Sequence, residues 1–256
     1  MNALQARGLS FGYNGKALLR EIDFEIKDQS FVVLLGRNGS GKSTLLKLMA
    51  GILKPKSGRM EIYAEDINNM SYSRRAEFIG FLSQSHNTVF PYSVAEVVIT
   101  GRAPYIFYSP SKKDVEKAVE SMERVGIIHL RDKPYNQLSG GERQLVMIAR
   151  VLAQEPRIIL FDEPLTFLDI YNQMQFFSLI EQLLSNKLTI IMVIHDLMIA
   201  SRLEADYMML SEGKIAAYGG KEIFTRDNIR KVFNIECHLD EKTGEIDLIP
   251  LKPLRP

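Results

Sequence analysis

Eight consecutive residues, Gly36-Arg37-Asn38-Gly39-Ser40-Gly41-Lys42-Ser43, carry the pattern G-x-x-x-x-G-K-[ST]. The chemistry follows from the residue types. Glycines at 36, 39 and 41 admit backbone conformations that a side chain forbids. Successive N–H groups then converge on phosphate oxygens, with the positive end of a following helix behind them. Lys42 adds a point charge for terminal phosphates, and the Ser43 hydroxyl is a ligand for Mg²⁺. Without a strand before it and a helix after it, the same stretch would be an ordinary glycine-rich turn. Here the flanks decide: Phe31–Leu35 is a continuous apolar run of strand length, and residues 43–50 have helical spacing with Gly51 as the stop.

A second chemical site stands far along the chain, in Ile158-Ile159-Leu160-Phe161-Asp162-Glu163. A carboxylate at the carboxyl end of a buried strand points into the crevice where open α/β sheets bind ligands. Asp162 is placed to hold Mg²⁺, directly or through water. Glu163, one residue on, is placed as general base toward an attacking water. The alternative is a solvated acidic loop, but a bare acidic pair after four apolar residues then has no reason to be there.

The elements that must position these groups alternate between two periodicities. Leu9, Phe11 and Tyr13, then Ile22, Phe24 and Ile26, recur every second residue, and Asn14-Gly15 between them predicts a hairpin. Continuous apolar strands are predicted at 31–35, 158–161, 189–194 and 207–210, with a further strand at 78–83. Helices are predicted over 94–100, 112–125 and 142–153, the last with Leu145, Ile148, Ala149 and Leu152 on one face. Strands alternating with helices predict a mainly parallel sheet with right-handed crossovers. The boundaries follow: a nucleotide-binding core with a β subdomain over 1–85 and 155–220, an inserted helical subdomain over 86–154, and a mixed tail over 221–256 without assigned elements.

Composition narrows the functional class. The chain has 256 residues, 46% hydrophobic and 25% charged, with formal net charge +1. That balance gives no general pull toward nucleic acid. A single cysteine, Cys237, excludes an intrachain disulfide framework and is read as an inert thiol. No apolar run reaches the length of a membrane-spanning helix, and no signal-peptide h-region follows the N-terminus. The expected location is the cytosol, unless a partner holds the chain at a membrane.

With Leu138-Ser139-Gly140-Gly141-Glu142 added, the sequence resembles the ATP-binding cassette (ABC) family over nearly its whole length. A lone SGG would be weak. Here it opens a helix and precedes Asp162 at the family's spacing. Ser139 with the Gly140 and Gly141 amides makes a second anion site at a helix N-terminus, although Ser139 as a plain helix cap explains the same residues. The resemblance implies a P-loop NTPase core, RecA-like and mainly parallel, with an N-terminal antiparallel β subdomain and the helical insertion. It implies ATP and Mg²⁺ as cofactors and hydrolysis coupled to transport. It places ATP on Gly36, Arg37, Asn38, Gly39, Ser40, Gly41, Lys42, Ser43 and Thr44, with Tyr13 stacking on adenine. Phe11 is read as core instead. Gln84 matches the loop glutamine that touches Mg²⁺ or water, His195 the switch histidine near the γ-phosphate, and Asp169 the loop that communicates across a dimer. The remaining histidines, His86, His129 and His238, match nothing. The family's dimer is head to tail, with Ser139 of one copy facing the nucleotide of the other. One departure stands out: between Pro164 and Asp169 the family carries small residues, often Thr-Ser-Ala-Leu, and this chain has Leu165-Thr166-Phe167-Leu168.

The segment 90–98 with Thr100-Gly101-Arg102-Ala103-Pro104-Tyr105, and the ending 231–235 with Thr243-Gly244, are similar to ATPases of metal-chelate importers for ferric siderophores, haem or cobalamin. That branch pairs two ATPase chains with two membrane permease subunits and a substrate-binding protein. The rivals are a non-transport ABC ATPase of DNA repair or translation, and a nucleotide-binding regulator without turnover. Against the first stand the near-neutral charge and the lack of coiled coils or zinc insertions. Against the second stand Lys42, Asp162, Glu163 and His195.

Overall fold

The computed structural model describes residues 1–84, 92–240 and 247–253. Phe90-Pro91, His86 and Thr243-Gly244 lie outside the described residues, as does the side chain of His238. The chain runs β1 (Asn2–Tyr13), β2 (Lys16–Lys27), β3 (Phe31–Leu35), α1 (Lys42–Met49), β4 (Ser57–Ile62), β5 (Glu65–Asp66), α2 (Tyr72–Phe78) and β6 (Ile79–Leu82). It continues with α3 (Val94–Ile99), α4 (Lys112–Arg124), α5 (Gly140–Ala153), β7 (Ile158–Asp162), α6 (Ile170–Ser185) and β8 (Thr189–Val193). Then come α7 (Leu197–Ser201), β9 (Asp206–Ser211), β10 (Lys214–Gly219), α8 (Arg226–Phe233), β11 (Ile235–Asp240) and β12 (Asp247–Pro253). The chain divides into two compact units, residues 1–69 with 189–256, and residues 70–188.

In the first unit, β1 and β2 form the hairpin expected from Asn14-Gly15. Tyr13 pairs with Lys16, and the two turn residues sit at φ 46° and 82°, the positive values a two-residue turn of this hand requires. An antiparallel sheet results, in the order β2-β1-β4-β5. Its alternation is strict over the second half of β2, where Ile22, Phe24 and Ile26 are buried and Glu21, Asp23 and Glu25 are exposed. In the same unit β3 lies between β8 and β9, parallel to both, and β10 returns antiparallel on β9. All five residues of β3 and all five of β8 are buried, which is why these strands are apolar throughout rather than alternating. The tail left unassigned from sequence holds α8 and the antiparallel hairpin of β11 and β12.

The second unit packs α3, α4 and α5 around one another beside the parallel pair β6 and β7. The sequence places Leu145 on the buried face of α5, but it is only half-buried, while Gln144, Val146 and Met147 are buried. The helix is covered on most sides, so a single-face reading was too narrow. Arg102 ties this unit together. It is 4% exposed, and its guanidinium reaches Asp114 on α4 (3.0 Å), Glu155 (2.8 Å) and the Ala153 carbonyl ending α5 (2.9 Å). It also lies 4.1 Å over the Tyr105 ring. The Asp114 carboxyl, held first by hydrogen bonds from the Ser111 hydroxyl and amide and then by Arg102, is pulled down to about 2.

Candidate functional site

The phosphate-type loop leaves β3 at Leu35 and enters α1 at Lys42. Gly36 turns at φ +152°, and a Cβ there would run into the Leu210 carbonyl of β9, so no other residue fits. Gly41 caps α1 from the left-handed region, at φ +105°. The Lys42 side chain folds back over the loop, and its ammonium donates to the carbonyls of Gly36 (2.8 Å) and Arg37 (3.0 Å). Lys42 is thus fixed inside the loop, 5% exposed, at the start of a helix whose dipole also favours an anion. Ser43 follows half-buried and Thr44 buried. A buried cation and a glycine-shaped backbone at a helix N-terminus fit the phosphates of a nucleotide.

In the other unit, β7 ends on the buried carboxylate of Asp162. The next residue, Glu163, leaves the strand at φ 57°. A non-glycine residue in this region is strained, and such strain gathers at functional sites. The turn aims the Glu163 carboxylate at Gln84, whose Nε2 donates to Oε2 at 2.6 Å. Gln84 stands two residues past the end of β6, the strand paired with β7, so neighbouring strand ends bring together an amide and a carboxylate that are 79 positions apart in sequence. Buried Gln144 of α5 donates to the Pro164 carbonyl at 3.0 Å and supports the turn from behind. The sequence reading missed that residue, and an amide next to the apolar run Leu145–Ala149 was the available signal.

The third group also belongs to this unit. Ser139 is the N-cap of α5, and its hydroxyl accepts from the Glu142 amide (3.2 Å) while the Glu142 carboxylate accepts from the Ser139 amide (2.8 Å). The Ser139 amide first, and then its hydroxyl, hold the Glu142 carboxyl below its ordinary range. The departing loop packs against this helix start. A Cβ on Gly141 would stand 3.1 Å from the Phe167 carbonyl, and one on Gly140 would stand 3.7 Å from the Phe167 Cβ. Asp169 caps α6 by accepting from the Asn172 amide at 2.8 Å.

Tyr13 closes β1 about half exposed, its ring edge-on to buried Phe11 at 5.0 Å. The sequence separated these two aromatics in the same way. His195 is exposed just past β8. The residue after it, Asp196, was not singled out from sequence. It caps α7 by accepting from the amides of Met198 and Ile199, and so fixes the turn that carries His195. The candidate residues therefore form two sets: Tyr13, Gly36–Thr44 and His195 in the first unit, and Gln84, Ser139–Gly141, Asp162, Glu163 and Asp169 in the second. No helix among the described residues is long and apolar enough to cross a membrane.

A phosphate loop after one strand, a carboxylate pair ending another and a capped Ser-Gly-Gly helix start are the working parts of an ATPase cassette, and residues 19–166 match the model of the ABC transporter family. The chain belongs to that family and is an ATP-binding, ATP-hydrolysing cassette. It is 37% identical over 254 residues to the ferric enterobactin transport ATP-binding protein FepC of Escherichia coli, covering 97% of this chain and 94% of FepC. Among solved structures it is similar to a metal-chelate type ABC transporter in an inward-facing conformation, at 29% identity and a TM-score of 0.84, covering 98% of both chains. It is also similar to a dimeric ATP-binding cassette in a post-hydrolysis state bound to ADP and phosphate, at 26% identity and a TM-score of 0.77, covering 85% of this chain and 98% of that one.

Proposed function

We propose that the chain is the ATPase of an importer for metal chelates of the ferric siderophore, haem or cobalamin type. The observation that carries this reading is a likeness to a ferric enterobactin transport subunit that extends over 97% of the chain, past the nucleotide motifs common to all cassettes. The working unit is two copies of the chain, two integral membrane permease subunits and, indirectly, a substrate-binding protein, with no nucleic acid. The chain sits at the cytoplasmic face of the membrane, held by the permease.

Each residue then has a role. Gly36–Thr44 cradle the phosphates of ATP and Tyr13 stacks on its base. Ser43, Asp162 and Gln84 offer hard oxygen ligands suited to Mg²⁺, which supplies Lewis-acid polarisation of the terminal phosphates when bound. Glu163 takes the proton of the attacking water, and Gln84, bonded to the same carboxylate, orients it. His195 senses the γ-phosphate. Ser139, Gly140, Gly141 and Asp169 complete the site of the second copy, head to tail. Charge-assisted hydrogen bonds are worth about 1.5–3 kcal/mol each. Several lost together on hydrolysis exceed the roughly 5.5 kcal/mol that swings a two-state equilibrium from 1:99 to 99:1. The dimer therefore closes on ATP and opens on ADP, and the helical segment 86–154, inserted in a core of 1–85 and 155–220, passes that motion to the permease.

The deciding experiment co-purifies the chain with its permease and measures phosphate release with binding protein loaded with one chelate at a time. Stimulation by one chelate class is expected. A chain that retains no membrane partner and gains no activity from any loaded binding protein refutes importer function.

A further inference from the structure

Glu163 is held in a conformation that its own sequence opposes. A residue before a proline is pushed toward extended backbone, and a non-glycine residue avoids positive φ. Glu163 precedes Pro164 and yet stands at φ 57°. Such a turn persists only where its surroundings over-determine it. From within the turn, the hydroxyl of exposed Thr166 donates to the Glu163 carbonyl at 3.1 Å. From outside, Gln144 of α5 donates to the carbonyl of buried Pro164 at 3.0 Å. Gln144 is 3% exposed. It sits three residues beyond Gly141, on the same face of α5, where a Cβ would meet the Phe167 carbonyl at 3.1 Å. Helix α5 therefore braces the segment 164–167 at two points, Gly141 by close approach and Gln144 by a hydrogen bond. An apolar side chain would pack this position as well, and an amide is tolerated in such burial only with its bond made.

We infer that Gln144 is a positioning residue for hydrolysis: by holding the Pro164 carbonyl it keeps Glu163 in the left-handed turn that sets its carboxylate against Gln84. The inference rests on the general-base role proposed for Glu163 and adds the group that keeps the base in place. Without the Gln144 donor the Pro164 carbonyl is buried and loses that bond. The turn then relaxes toward the extended backbone that a following proline favours, and carries Glu163 away from Gln84. The base is still in the chain but no longer at the site.

The test follows single-turnover phosphate release from labelled ATP by the full chain, a readout that reaches slow variants as well as fast ones. Gln144→Met keeps the length of the side chain and removes the donor. Loss of one bond to a buried carbonyl predicts release about 5- to 150-fold slower, with ATP affinity unchanged. In the Glu163→Gln chain, which has no base to misplace, the same substitution should slow release by no more than about threefold. A smaller loss than this in the parent, or a larger one in the Glu163→Gln chain, overturns the positioning role and leaves Glu163 as the base. Should Gln144→Met not fold, Gln144→Glu, of the same shape with an acceptor in place of the donor, carries the same expectations. Release by Glu163→Gln within about tenfold of the parent overturns the base itself, and the positioning role with it.

Discussion

Glu163→Gln separates shape from chemistry at this site. Gln84 donates to Glu163 Oε2 at 2.6 Å, and the amide oxygen of glutamine accepts the same bond. The backbone at φ 57° makes no distinction between two unbranched side chains of equal length. The substitution therefore keeps the turn, the Gln84 contact and the adjoining Asp162 in place, and removes only the ability to take a proton. General-base assistance is worth about 10²–10⁴ in rate, or about 2.7–5.5 kcal/mol of barrier. Steady-state phosphate release should fall by that factor while ATP affinity, read from a fluorescent analogue, stays within about twofold. Glu163→Ala should be slower still, because it also leaves the Gln84 amide without its carboxylate. Turnover by Glu163→Gln within tenfold of the parent would refute the general-base assignment and leave Glu163 as a strut for Gln84.

Other perturbations test other parts. Lys42→Ala empties a buried position that holds a cation against two carbonyls, and should abolish measurable ATP binding in equilibrium titration. Ser139→Arg should leave ATP binding by the monomer intact while preventing ATP-driven dimerisation, as seen by sedimentation. Arg102→Met takes the ion-pair partner from the buried Asp114 carboxylate, leaving it only the Ser111 bonds, and should lower the melting temperature by about 6–20 °C in calorimetry. The pH dependence has a definite sign: the folded-state carboxyl of Asp114 titrates at about 2, below the roughly 3.9 of an unfolded aspartate. Its stabilisation is complete above about pH 4 and fades as the pH falls toward 2. Asp114→Asn should therefore flatten the acid limb of the melting curve.

Much of the site was legible because its chemistry is local. The glycine loop, the strand ending in Asp162 and the Ser-Gly-Gly helix start each carry their meaning within a few residues, and buried parallel strands announce themselves as unbroken apolar runs. Helix α6 did not stand out, although Phe176, Leu179, Ile180 and Leu183 form a buried stripe at helical spacing. The exposed Ile170, Tyr171 and Met174 put apolar residues on the opposite face and blur the period. In α8 only Ile229 and Val232 are buried, too few to define a stripe in so polar a helix. The hairpin of β11 and β12 shifts register between Glu236 and Cys237, which breaks the two-residue alternation. The Gln84–Glu163 bond was hidden for another reason: it joins the ends of paired strands, and no local pattern records that adjacency.

The capping box at Ser139 has two counterparts among the described residues. At Ser93 the hydroxyl accepts from the Glu96 amide and also donates to the Glu96 carboxylate at 2.8 Å. At Ser111 it accepts from the Asp114 amide and donates to the Asp114 carboxylate at 2.6 Å. At Ser139 the Glu142 carboxylate accepts the backbone N–H while the hydroxyl accepts from the Glu142 amide, the same reciprocal pair of bonds that stands at Ser93 and Ser111. A serine oxygen can receive one hydrogen and offer its own at the same time. In the role proposed for Ser139, the start of α5 is therefore set by the chain's own two bonds and does not wait for an anion to form.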